Sequence, residues 1–150
     1  MARNSRSAIP DVEIDCGSGR IINPTSFAGH ALVVVFGPLD ASEAELAAYR
    51  HHAADFVNYD AWLLSFADKC ELGEAGEQHI LTAADPERHA WVAFRDLTEH
   101  PEELDRGDGA TFLFARGGSL QHYWHGSGHV HEVLNVLQEP SARNERPLVI

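Results

Sequence analysis

Cysteine and lysine are almost absent from this chain. Cys16 and Cys70 are the two thiols in 150 residues. They stand in no CxxC or zinc-ligand spacing, which excludes a disulfide scaffold and a thiolate metal knuckle. Lys69 is the one lysine, and 11 basic residues face 23 acidic ones, for a net charge of −12. A surface of that sign repels phosphate backbones and anionic lipid, so neither nucleic acid nor a membrane is expected as a partner. Long apolar runs are missing too. The longest covers six residues, Ala31 to Phe36, against the ~20 that a membrane helix needs. The opening Met-Ala-Arg-Asn-Ser-Arg-Ser has no apolar core behind its positive charges, so it does not read as a secretory signal, and the expected compartment is the cytoplasm. Nothing in the sequence calls for a cofactor.

What is present reads as a single α/β domain over residues 1–150, with 1–10 and 141–150 expected as flexible tails. A chain of this length buries ~70% of its extended surface and needs no staples. The organising stretch is Ala31-Leu-Val-Val-Val-Phe36, a run without alternation that predicts a strand buried on both faces. Gly37 and Pro38 end it. Ser42, with Glu45 three residues later, then reads as a capping box opening a helix over about 42–58. That helix puts Leu46, Tyr49, Ala53 and Phe56 on one face. Before the central strand, 12–15 and 20–22 pair as a short hairpin around Gly17-Ser-Gly19. After the helix come a second buried strand at 61–66, an acidic loop at 67–78 and a short strand at 79–82. Asp85-Pro86 supplies a cap and a first-turn proline for a helix reaching about Phe94. Residues 111–115 and 120–124 form a hairpin around Arg116-Gly-Gly118. A last helix carries Val130, Val133, Leu134 and Leu137.

Strands and helices that alternate and finish in a hairpin plus helix suggest a thioredoxin-like fold: a central mixed sheet flanked by helices, with an N-terminal β-hairpin. Three stretches resemble the peroxiredoxin (alkyl hydroperoxide reductase/thiol-specific antioxidant) branch of that superfamily. FAGHALVVVFGPLDASEAEL is similar to the family's strand and active-site helix, HILTAADPERHAWVAF to its Asp-Pro helix, and DRGDGATFLFARGGSLQHYW to its closing hairpin. The family's motif is Pro, three residues, Thr or Ser, two residues, Cys. Here Pro38 and Ser42 match, and Glu45 stands at the place of the nucleophilic cysteine. A carboxylate cannot be oxidised and recycled as a thiolate is, so Glu45 cannot substitute for it. The resemblance places the family's arginine at Gly109, with Arg106 three residues earlier as a displaced equivalent, and Ala110 where thioredoxins carry proline. It implies a degenerate peroxidase site, a binding or accessory role in its stead, and a homodimer as one assembly.

The alternatives are enzymatic. Cys70 sits beside Lys69, which favours a thiolate, and among Glu71, Glu74 and Glu77, which oppose one; a thiol oxidoreductase would use it. Cys16 has less to recommend it. His122, His125, His129 and His131 fall within ten residues, and imidazole is a common metal ligand. Residues three apart on a strand or two apart on a helix diverge, so His125 with His129, across Gly126-Ser-Gly128, is the pair expected to converge on a metal. For Glu45 the capping role accounts fully for its spacing from Ser42; the alternative is a carboxylate serving as a base or ligand in a polar pocket.

Overall fold

A computed structural model describes residues 8–15, 21–67, 79–85 and 88–138. The order is β1 (Ile14–Asp15), β2 (Ile21–Ile22), β3 (Ala31–Phe36), α1 (Ser42–Arg50), α2 (Ala53–Asn58), β4 (Ala61–Ala67), β5 (Ile80–Ala84), α3 (His89–Arg95), β6 (Ala110–Phe114), β7 (Leu120–His125) and α4 (Val130–Leu137). β1 and β2 pair antiparallel as a separate ribbon, with Ile14 opposite Ile22. The other five strands form one mixed sheet in the order β5-β4-β3-β6-β7. β3 runs parallel to β4 and β4 to β5, whereas β6 is antiparallel to both β3 and β7. The three segments expected at the centre, 31–36, 61–66 and 111–115, therefore share a sheet.

β3 is central because a run with no polar position can be satisfied only between two covered faces. All six of its residues are buried. Alternation divides them. Ala31, Val33 and Val35 face a layer containing Leu46, Tyr49, Phe56, Leu134 and Leu137 from α1, α2 and α4. Leu32, Val34 and Phe36 face the layer that holds Trp91 and Phe94 of α3.

Three local readings of the sequence are corrected. The helix expected over 42–58 is two helices. His52 takes φ −111° and ψ 24°, outside the helical region, and its ring Nδ1 bonds the Asp55 carboxylate at 3.1 Å. That dihedral interrupts the helical ladder, and α2 starts afresh from it, with the N–H groups of Asp55 and Phe56 both bonded to the His52 carbonyl. Nor does Ser42 hold the cap position of α1. The helix already includes Ser42, and Ala41, which has no side-chain acceptor, holds the cap position. This moves Glu45 one place deeper, beyond reach of the cap amide, and its carboxylate turns elsewhere. Arg88 rather than Asp85 holds the cap position of α3, but the Asp85 carboxylate still accepts the N–H of Ala90 at 3.1 Å and of Trp91 at 2.8 Å, the second and third residues of the helix. Pro86 lies outside the described residues.

Candidate functional site

The loop that leaves β3 is held by contacts from distant parts of the chain. Leu39 donates its N–H to the Gly107 carbonyl at 3.3 Å, and Ala41 donates to Pro38 at 3.0 Å. Arg106 is buried. It donates through Nη1 to the Gly37 carbonyl, and its guanidinium carbon lies 5.4 Å from the centre of the Phe36 ring. An arginine uses its planar cation in this way over an aromatic face. The cation therefore ties the end of β3 to the loop before β6.

Gly109 completes this contact. Its φ is +86°, and a Cβ there would stand 2.5 Å from the Phe36 carbonyl oxygen and 3.0 Å from the Pro38 nitrogen. Both the dihedral and the close approach require glycine. The Gly109 carbonyl also accepts the Gly126 N–H at 2.8 Å. The β7–α4 loop is thus drawn onto the same spot.

Glu45 meets that loop. It is 7% exposed, and its Oε1 accepts the Gly128 N–H at 3.0 Å. Glu45 Oε2, the Tyr49 hydroxyl and the Thr111 hydroxyl are all buried without a hydrogen-bond partner. Burial, reinforced by the Glu45 carboxylate, pushes the Tyr49 phenol well above its usual range. The Thr111 hydroxyl is close enough to oppose this shift without making a fully formed hydrogen bond to the phenol. A carboxylate, a phenol and an alcohol are therefore brought together between α1 and β6, at the end of β3. The i, i+4 spacing of Glu45 and Tyr49 was a signal for this pairing; nothing in the sequence links either residue to Thr111 or Gly128.

The C-terminal histidines take other partners. His129 directs Nε2 to the His125 backbone carbonyl at 2.9 Å and Nδ1 to the Glu132 carboxylate. The His125 ring nitrogen Nε2 lies 3.6 Å from Asp108. In this conformation the two imidazoles do not turn their nitrogens toward a common point. His122, Trp124 and His129 stack in a column, with ring centres 5.6 and 5.9 Å apart. A different pair of histidine rings is in contact. His131 of α4 meets His52, at the joint of α1 and α2, with ring centres 5.8 Å apart. These residues are too far apart in sequence for any motif to join them. Among the described residues one group of three ligand atoms converges, the exposed His100, Glu102 and Glu103. Cys16 and Cys70 lie outside the described residues.

No family model and no curated protein sequence matches the chain. Solved structures do. The bacterioferritin comigratory protein of Xanthomonas campestris, studied for its alkyl peroxide reduction, superposes with a TM-score of 0.67 at 19% identity, covering 92% of this chain and 97% of its own. The fold is thioredoxin-like. Enterococcus faecalis AhpC gives 0.66 at 16% identity, covering 97% and 98% of the two chains. BsSco, of the Sco family of cytochrome c oxidase assembly proteins, gives 0.61 at 11%, covering 97% and 99%. This thioredoxin-like chain is thus similar in structure both to peroxiredoxins and to an assembly factor. Among its described residues no helix is long and apolar enough to cross a membrane.

Proposed function

We propose that this chain is a peroxiredoxin-like domain without the family's redox cysteine, acting as a non-catalytic binding or accessory protein. The observation that carries the reading is Glu45. At the place where the family's motif has its nucleophile, a buried carboxylate accepts the Gly128 N–H and so holds the β7–α4 loop. A group committed to a backbone amide serves the scaffold, and a carboxylate offers peroxide no electrons. Gly109 adds support: the position aligned with the family's arginine has no room even for a Cβ. Arg106 is turned onto Phe36 and the Gly37 carbonyl, interior groups of the turn.

The same reading takes the partner to be a protein or small ligand rather than nucleic acid or membrane, as the net charge of −12 favours. It places the protein in the cytoplasm and allows a homodimer.

Peroxide consumption in the presence of a thiol reductant tests it. Wild type and Cys70→Ser are expected to match the rate of reductant alone. In Glu45→Cys a thiolate can attack the peroxide O–O bond, leaving a sulfenic acid and releasing alcohol or water. The reductant then regenerates the thiol, so weak turnover is expected to appear. Robust turnover by the wild type that disappears in Cys70→Ser would overturn the proposal in favour of a thiol oxidoreductase.

A further inference from the structure

The histidines that the fold brings together are His52 and His131, from the α1–α2 joint and α4. Their rings lie at 77° to each other with centres 5.8 Å apart. Two imidazoles bound to one ion at about 2.0–2.1 Å have ring centres about 4.5–5 Å apart, from the right angle of a tetragonal ion to the wider angle of a tetrahedral one. A small rotation of the exposed His131 side chain closes that difference.

The chemistry of His52 suits a ligand. Its Nδ1 faces the Asp55 carboxylate at 3.1 Å. A carboxylate can only accept here, so in the neutral ring it is Nδ1 that carries the proton and Nε2 that offers a lone pair. A carboxylate behind an imidazole is the usual outer partner of a metal-bound histidine, fixing its tautomer and orientation. With its side chain 24% exposed, His52 is open to solvent yet held in place. His131 makes its ring contact with His52 from a helix whose opposite side, Val133, Leu134 and Leu137, is buried against the sheet. Each imidazole is thus anchored by a rigid element, and the pair bridges two elements that the sequence separates.

We infer that His52 and His131 form a two-imidazole site for a borderline-soft divalent transition metal, with water completing the coordination. Among the described residues no third protein ligand atom converges with them, so the site binds by chelation between two elements rather than as a closed cage. Copper(II) heads the affinity order for such a nitrogen pair, ahead of nickel and zinc. The bound ion would cross-link α4 to the α1–α2 joint and so raise the melting temperature.

The test uses the full chain carrying Cys16→Ser and Cys70→Ser, so that thiols do not compete. Copper(II) titration by calorimetry, with electron paramagnetic resonance to count nitrogen ligands, is expected to give one tight equivalent with two imidazole nitrogens and an upward shift in melting temperature. His131→Ala and His52→Ala should each weaken binding about tenfold or more and abolish the thermal shift. Asp55→Asn should weaken binding by about tenfold while the metal-free melting temperature changes little. His100→Ala should leave all these readouts unchanged. Retention of binding in His131→Ala, or its loss in His100→Ala, would overturn the inference, the latter by moving the ion to the exposed His100, Glu102 and Glu103 group. Equal metal-free melting temperatures across the set exclude misfolding as the cause of any loss.

Discussion

The two faces of the central sheet are built from alternate residues of the same strands, yet they bury different chemistry. On the α3 face Phe36 stacks on Phe66 at 4.4 Å with the rings 1° from parallel. It also meets Trp91, Phe94 and Phe112 edge-on, at 5.1, 5.7 and 6.1 Å. This face is an aromatic cluster, with the Arg106 guanidinium laid on the Phe36 ring and Trp62 Nε1 buried among apolar groups. On the α1 face a carboxylate, a phenol and an alcohol lie buried beside Val33 and Leu113 without a full set of partners. Burying such groups costs free energy unless they are bonded, so stability alone gives no reason to keep them there. The contrast assigns the α3 face to apolar packing, and the α1 face to holding the β7–α4 loop onto the end of β3.

Substitutions at three positions sharpen or break this contrast. The largest effect is expected on the aromatic face. Phe36→Ala removes a ring that contacts four others, and chemical denaturation should show a loss of about 3–5 kcal/mol. A loss below about 1 kcal/mol would mean that the cluster contributes little and that the contrast is false.

On the α1 face Glu45 should behave differently from an ordinary core residue. Glu45→Ala leaves the Gly128 N–H unsatisfied and should cost about 1–3 kcal/mol. Glu45→Gln keeps an acceptor for that N–H, removes a buried charge and supplies a donor toward the Tyr49 hydroxyl. Stability should be unchanged or higher. A Glu45→Gln protein as unstable as Glu45→Ala would show that the charge itself holds the loop.

The smallest effect is expected for Tyr49→Phe, which should change stability by no more than about 0.5 kcal/mol at neutral pH, because the lost hydroxyl has no full hydrogen bond. The difference appears in alkali. The unfolded phenol ionises near pH 10, while burial and Glu45 make the folded one hold its proton. Above that pH the unfolded state binds fewer protons than the folded state, so wild-type stability falls as pH rises. Tyr49→Phe should flatten that fall. Identical alkaline slopes in the two proteins would show that the phenol titrates freely and is not sealed in.

Much of the fold was legible because β3, β4 and β6 are apolar runs too dense for any exposed position, and α4 carries its stripe at 130, 133, 134 and 137. The hairpin of β6 and β7 was readable from Arg116-Gly-Gly118. The site was less so. Ser42 and Glu45 have capping-box spacing, but the chain enters the helix one residue early, and spacing cannot report where the first helical dihedral falls. The break at His52 is a backbone dihedral, and the apolar stripe of 46, 49, 53 and 56 runs through it unmarked. Arg106 could be nominated from its place in the loop, but not its seat on Phe36. The pairings of Glu45 with Gly128 and of His52 with His131 are tertiary, and periodicity holds no information about them.

The glycine at 109 bears on which future sequences this protein can reach. Any single-base change that replaces glycine without ending translation introduces a residue with a Cβ, and at this position a Cβ would press on the Phe36 carbonyl oxygen and the Pro38 nitrogen. No such step is free, whatever the incoming side chain might offer chemically. A side chain can appear at 109 only if the backbone after β3 has already moved, and that turn is in turn held by Arg106 and Gly107. The turn and the loop that faces it must therefore change together, which makes this end of the molecule slow to drift even where no reaction depends on it.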